Sequence, residues 1–458
     1  MTVVSVCIPT RNQAPFLRAA IESALAQDMA GLEVVVHDDA STDATPRVLA
    51  AIRDPRLRVV RHDRALGVAA NRNSCVSDAR GRYIAWLDSD DTYLPGSLAP
   101  RVALLEAHPR VGLIHAGFQV MDETGRALRD WPAPADADTI QPGPVAFREL
   151  ITSNLITTST VVVRRTAHQR SGGFCTRLGP SSSDWHMWLR IALRADVAYL
   201  TAAVARYRQH GGTISRATAD GARLRCDRRV VQSVLRTERG RIQDRSQTRA
   251  AAHAALAAKA LVHAGDRHTA GQRLQAMRAA LVAGQLAPGA VGRHAVGLLV
   301  AIARGDDYGC YTSTRAGLAG LADLVGPTPY GERLRRSAAR DPVYEASLER
   351  IAHHLRAATS AEACVATVTK WDPTLLRLAG RRGLQFPDRR LLPDGYPRDD
   401  RTAVEHLELI RARGATHLVF TWATAWWLDH YPQFGDHLAG RYRLVRHDDD
   451  CVIYELCR

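Results

Sequence analysis

The sequence predicts an α/β fold whose first domain is built on a parallel sheet. Two observations carry this. Three apolar, strand-like runs, Val3–Ile8, Leu32–His37 and Tyr83–Leu87, each pass directly into a polar turn. Between the first two runs, Leu17, Ala20 with Ile21, and Ala24 with Leu25 recur at helical spacing. Strand, helix, strand, with the polar residues collected at the strand ends, is the pattern of an open sheet whose ligands sit beyond the carboxyl ends of the strands.

The first run ends at Pro9-Thr10-Arg11-Asn12. Asn12 or a neighbour starts the helix that follows, and Pro15 is tolerated in its first turn. The second run ends in Asp38-Asp39-Ala40-Ser41-Thr42-Asp43. The third ends in Asp88-Ser89-Asp90-Asp91, three carboxylates in four residues. Like charges so close repel one another. A divalent cation compensates them, and carboxylate oxygens suit Mg²⁺ or Mn²⁺, which also bridge substrate phosphates. Taken alone, the same run reads equally well as an acidic loop capping the next helix.

Six segments in order then resemble glycosyltransferase family 2, which has the GT-A fold. They are Val6–Asn12, Val35–Asp43, Leu66–Asn73, Asp88–Asp91, the segment holding Gly172-Gly173-Phe174 and Ser183–Arg190, and Tyr207–Ser215. Each is short; together, at ordinary spacing, they are specific. They cover residues 1–215, a little under half the chain.

The resemblance implies a donor that is a nucleoside-diphosphate sugar, with a UDP-sugar the expected one, and an acceptor that the sequence does not identify. Pro9, Thr10, Arg11 and Asn12 would frame the nucleotide, and Asp39 would hydrogen-bond its base. Asn71 and Arg72 belong to the same binding set, and Arg72 or Arg11 would add positive charge beside the phosphates. Asp90 and Asp91, supported by Asp88, would hold Mg²⁺ or Mn²⁺ against the diphosphate. His210 would touch the metal or the diphosphate, or make a structural hydrogen bond. Asp184 is the implied catalytic base, giving inversion at the anomeric carbon. It also reads as a cap of the helix Trp185–Leu193. Ser183 stands where the family usually has glutamate.

The 458 residues are enough for two or three domains. Net charge is +14, and Lys259 and Lys370 are the lone lysines, so the positive charge is arginine. It reflects genome composition, or a field that draws anionic sugar nucleotides or a membrane surface. No basic run with interleaved aromatics suggests a nucleic-acid groove. The eight cysteines are scattered without zinc spacing. A reducing cytoplasm fits them. A strand at the very start predicts no signal peptide, and the longest apolar stretch, Ala295–Ala303, is too short to cross a bilayer. The expectation is a cytoplasmic protein, peripheral at most to the inner membrane face.

Three domains are expected: a GT-A domain over 1–215, a helical region over 216–325, and a C-terminal α/β domain over 330–458, with a connection at Gly326–Pro329. In the helical region, Thr248–His263 and Thr269–Val282 read as helices, broken into a hairpin by Gly265-Asp266. In the last domain, strands are expected at Cys364–Thr369, Leu418–Thr421, Tyr442–Arg446 and Cys451–Leu456, a helix at Asp400–Arg413, and helix with interruptions at Trp426–Leu438. Asp448-Asp449-Asp450 reads as a solvated hairpin tip or a cation site. Trp422, Trp426 and Trp427 read as core, interface or a sugar-stacking cluster.

A sugar-nucleotide pyrophosphorylase would place a Gly-rich loop with a lysine after the first strand, where Pro9-Thr10-Arg11-Asn12 stands. A processive synthase would need membrane helices and a Gln-x-x-Arg-Trp element, and neither is present. A methyltransferase role for the last domain would need a glycine-rich loop where Lys370-Trp371-Asp372-Pro373 follows its first strand. The expected function is therefore an inverting, metal-dependent glycosyltransferase of glycan, glycolipid or natural-product synthesis. A non-catalytic nucleotide-sugar-binding or scaffold protein is the alternative; the intact set Asp39, Asp88, Asp90, Asp91 and Asp184 argues against it.

Overall fold

The computed structural model describes residues 2–131, 135, 137–179, 182–210, 222–269, 273–287, 335, 342–368, 379–387, 397, 399–421, 424–448 and 450–456. They fall into two compact units, the first spanning Met1–Leu256 and the second taking most of the chain from Ala257 onward. The expected connection at 326–329, the apolar stretch 295–303, the turn 370–373, the family segment 211–215, Cys310, Trp422, Asp449 and Cys457 lie outside the described residues.

The first unit opens with β1 (Val4–Thr10), α1 (Ala14–Leu25), β2 (Leu32–Asp38), α2 (Thr45–Ala50), β3 (Leu57–Arg61), α3 (Val68–Asp78) and β4 (Tyr83–Trp86). It continues through β5 (Thr92–Tyr93), α4 (Leu98–Ala107), β6 (Val111–Met121), β7 (Ala127–Asp130), β8 (Thr139–Gln141) and α5 (Gly143–Leu150). A 3-10 turn (Thr158–Thr160), β9 (Val162–Arg164), α6 (Arg165–Arg170), α7 (Ser183–Ala192), β10 (Asp196–Arg208) and α8 (Ala222–Thr237) complete it.

The sheet runs β3-β2-β1-β4-β9-β6-β10-β5, with β7 on β6 and β8 on β10. β1 is parallel to both neighbours, so Cys7 lies opposite Val35 on one side and Trp86 on the other. The carboxyl ends of β2, β1 and β4 therefore point one way, and their polar turns lie side by side. β2 and β4 are two strand spacings apart, about 10 Å. β1 is buried on both faces, so its sequence does not alternate. Against it α1 packs Leu17, Ala20, Ile21 and Ala24, the residues its periodicity marked. Gln13, a neighbour of Asn12, takes the cap position, and Pro15 falls in the first turn.

Next come α9 (Arg245–Thr269) and α10 (Arg273–Leu286). The expected break at Gly265-Asp266 does not occur: α9 runs straight through to Thr269. One glycine inside a helix costs about 1 kcal/mol. Here the buried stripe of Ala252, Ala255, Leu256, Ala260, Leu261 and Ala264 outweighs it.

The second unit also contains α11 (Pro342–Ala358), β11 (Cys364–Val368), β12 (Arg382–Phe386), α12 (Asp400–Ala412), β13 (His417–Thr421), α13 (Trp426–His430), α14 (Pro432–Arg441), β14 (Arg443–His447) and β15 (Cys451–Glu455). Its sheet runs β12-β11-β13-β15-β14, parallel through the first three strands and antiparallel beyond. α12 is capped by Asp399, which accepts the Thr402 N–H at 2.8 Å, and ends before Gly414 at φ 95°. Trp427 is core, packed between Phe386 and Tyr431. In the acidic hairpin, Asp448 is exposed and Asp450 half-buried, and both are paired with arginine. Arg350 grips Asp450 with two bonds of 2.7 Å, Ser347 donates to it at 3.1 Å, and Arg446 holds Asp448. The opposing charge comes largely from α11, a helix the sequence reading did not anticipate.

Candidate active site

The turns after β1 and β2 are clasped together. The Asn12 N–H donates to Ser41 Oγ at 2.8 Å, and Asn12 Oδ1 accepts the Thr42 N–H at 2.8 Å. The Thr10 carbonyl accepts the Asp39 N–H at 2.9 Å. Asn12 and Ala40 sit at φ 53° and 54°, a left-handed conformation that asparagine tolerates and alanine adopts at a cost. Thr10 Oγ1 is buried and has no hydrogen-bond partner among the described residues. Pro9 is half-buried and Arg11 is exposed.

Asp39 is buried, and its two oxygens accept the Leu66 and Gly67 N–H groups at 2.6 and 2.9 Å. It thereby fastens the second turn to the start of α3. Gly67 lies at φ 88°, which favours glycine. Asn71 is bonded to the end of β2. Its amide donates to the His37 carbonyl at 3.0 Å, and its oxygen meets His62 Nε2 at 3.2 Å. Arg72 faces the acidic turn and pairs with Asp88 Oδ1 at 3.0 Å, with Phe174 beneath its guanidinium. Burial works against the charge on Arg72; Asp88, and less strongly Asp184, hold its pKa above the ordinary value all the same.

Neighbouring carboxylates in the acidic turn face different ways. Asp91 points inward: Oδ2 accepts the Ser159 hydroxyl at 2.5 Å and Oδ1 the Arg208 N–H at 2.9 Å. Burial, then the charges of Asp90 and Asp88, push its carboxyl well above the usual range. Asp88 keeps a third of its side chain exposed. Burial raises it too, Arg72 opposes this, and Asp90 adds to the rise. Asp90 Oδ2 meets His210 Nε2 at 3.1 Å, so a carboxylate and an imidazole lie in direct contact. The Arg208 guanidinium accompanies them, donating to the Asp90 carbonyl at 2.8 Å and lying over the Phe16 ring.

Asp184 is the second residue of α7, with Ser182 at the cap position. Oδ1 accepts the Trp185 N–H at 2.6 Å and Oδ2 the Thr158 hydroxyl at 3.1 Å. Trp185, Trp188 and Leu189 behind it are buried, as is Ser183. The Asp184 charge is felt at both Arg72 and Asp88, which places the three in one electrostatic neighbourhood.

The sequence reading missed Thr158, Ser159 and Arg208. The signal was present as four consecutive hydroxyl residues, Thr157-Thr158-Ser159-Thr160, leading into an apolar strand.

Residues 5–168 match the family model described as glycosyl transferase family 2. The first domain belongs to that family. Its fold is the GT-A fold, an α/β sheet here joined to further helices and a second sheet. The chain is similar to succinoglycan biosynthesis protein ExoO of Rhizobium meliloti, 43% identical over 126 residues, which are 28% of this chain and 36% of that protein. It is also similar to WfaP of Escherichia coli, named as a UDP-Glc:alpha-D-GlcNAc-diphosphoundecaprenol beta-1,3-glucosyltransferase. That match is 27% identical over 217 residues, 47% of this chain and 80% of that protein. The chain thus spans about a third of ExoO and most of WfaP. A solved structure of S. aureus TarS in complex with UDP-GlcNAc superposes with a TM-score of 0.48 at 20% identity, over 67% of this chain and 89% of that one.

Proposed function

We propose that this chain is an inverting, metal-dependent glycosyltransferase. It moves one sugar from a UDP-sugar to an acceptor hydroxyl in the assembly of a glycan, glycolipid or natural product. The observation that carries this reading is a juxtaposition. The Asp39 turn and the Asp90 turn follow β2 and β4, the parallel strands on either side of β1, and the 3-10 turn that holds Asp91 also holds Asp184. Relatives named for succinoglycan biosynthesis and for glucosyl transfer from UDP-Glc support the same class.

The two clasped turns frame the nucleotide, with the unpartnered Thr10 hydroxyl facing that role and Asp39 fixing the loop beside it. Asp90 and His210 fit a Mg²⁺ or Mn²⁺ ion, and Asp88 is near enough to support it; Asp91 shapes the turn from within. Among the described residues no three His, Cys, Asp or Glu side chains surround one point. This suits an ion held by one or two carboxylates and completed by substrate phosphates. When bound, the ion supplies Lewis-acid stabilisation to a departing diphosphate. Asp184 accepts the proton of the acceptor hydroxyl as that oxygen attacks the anomeric carbon opposite the leaving group, which inverts the centre. The arginine-borne charge of +14 favours work beside an anionic inner membrane face. No helix among the described residues is long and apolar enough to cross a membrane.

The test is a panel of UDP-sugars, with and without Mg²⁺ or Mn²⁺, read by thermal stabilisation and by UDP release. Stabilisation that needs the metal, with release from at least one sugar, is expected. No stabilisation by any nucleotide would overturn the reading. Stabilisation without release, unchanged in Asp184→Asn, would favour a non-catalytic binding protein.

A further inference from the structure

The Thr158 and Ser159 hydroxyls point at the two halves of the site. Thr158 donates to Asp184 Oδ2 at 3.1 Å. Ser159 donates to Asp91 Oδ2 at 2.5 Å and accepts the Asp88 N–H at 3.1 Å. Each hydroxyl donates to its carboxylate, and the Ser159 oxygen is left to accept the Asp88 N–H. Both side chains are buried. We propose that this dipeptide is a positioning device, which sets the spacing between the acceptor base Asp184 and the acidic turn. The inference rests on the glycosyltransferase reading above and names residues through which that site keeps its geometry.

The turn itself is held rigidly. The Thr160 N–H and hydroxyl both donate to the Thr157 carbonyl, at 3.0 and 2.8 Å. The Thr160 carbonyl accepts Arg101 Nη1 at 2.8 Å. Arg101 is fully buried, bonds Ser97 through Nε and Nη2, and lies over the Tyr93 ring. The Tyr93 hydroxyl returns to the Trp86 carbonyl at the end of β4 at 2.7 Å. A ring of contacts therefore closes from β4 through Tyr93, Arg101 and the 3-10 turn back to the acidic turn. A buried threonine with a packing role alone satisfies its hydroxyl on a nearby carbonyl, as Thr160 does. Thr158 and Ser159 direct theirs to carboxylates 26 and 68 residues away in the chain. Misplacing a reacting group by about 1 Å costs about 100-fold in rate, so a rigid spacer between base and leaving-group site has kinetic value.

The test uses the full chain, UDP-glucose and UDP-GlcNAc as donors, Mn²⁺, and UDP release as the readout. Thr158→Val removes the hydroxyl at nearly constant volume. It is expected to lower kcat about 10- to 100-fold while KM for the donor moves less than about two-fold. Thr158→Ser is expected to restore most of kcat. Ser159→Ala is expected to act on the other side, raising donor KM and the Mn²⁺ requirement more than it lowers kcat. Should Thr158→Val fail to fold, Thr158→Ala takes its place against Thr158→Ser. Unchanged kcat in the hydroxyl-free variant, loss not restored by serine, or identical kcat and KM changes from both positions would each overturn the proposal. Wild-type chain that neither binds UDP nor releases it from a donor would instead overturn the glycosyltransferase reading, and the inference with it.

Discussion

Asp88→Ala is expected to destabilise the first domain by about 2–3 kcal/mol, because it strands the buried Arg72 guanidinium. The Arg72 side chain is 7% exposed and its partner 33% exposed. Removing one member of a fully buried pair costs about 3–5 kcal/mol; partial exposure lets water replace part of the loss, which lowers the figure. The Asp184 field and the Phe174 ring remain, so the guanidinium is not wholly abandoned. For a domain of this size, about 2–4 °C of Tm accompanies each kcal/mol, giving a fall of roughly 5–10 °C. Wild type, Asp88→Ala, Arg72→Met and the double variant form a cycle measured by thermal and urea unfolding. The double variant should recover most of the loss, since it removes the stranded charge. A double variant at least as unstable as Asp88→Ala would refute the reasoning, showing that the carboxylate itself, and not the unpaired cation, carries the stability.

Asp184→Asn should leave UDP affinity nearly intact and lower turnover by about 100-fold or more; turnover near wild type would remove Asp184 from the base role. Asp90→Ala should weaken UDP binding in Mn²⁺ while leaving metal-free Tm close to wild type, and calorimetry with unaltered affinity would move the metal elsewhere. Burial holds His115, His168 and His186 each near a pKa of about 4, against an ordinary 6.5. The unfolded chain therefore binds more protons between those values. The stability these residues contribute is complete above about pH 6.5 and is lost as pH falls toward 4. Tm should be lower at pH 5 than at pH 7.5, and a flat profile would contradict the burial of the three imidazoles.

Much of the architecture was legible because periodicity is local. The runs that became β1, β2 and β4 show their burial in composition, and α1 shows its buried face in Leu17, Ala20, Ile21 and Ala24. β12 escaped notice because Arg-Gly-Leu-Gln-Phe has too little apolar character to mark a strand; the neighbouring β11 makes it one. Gly265 misled for the opposite reason, since a local helix breaker yielded to a buried alanine stripe.

By itself, the amino-acid order determined which chemistry collects at the strand ends: one hydroxyl, an arginine and an asparagine at the end of β1, a carboxylate pair at the end of β2, and three carboxylates after β4. Tertiary structure alone decided which way each side chain turns. Asp90 meets His210 from 120 residues away, while adjacent Asp91 is turned inward by Ser159 and Arg208, 68 and 117 residues away. Asn71 is drawn onto His37 and His62. Adjacent residues in a turn have similar local preferences, and what separates their roles is the set of donors that distant segments bring within hydrogen-bond reach.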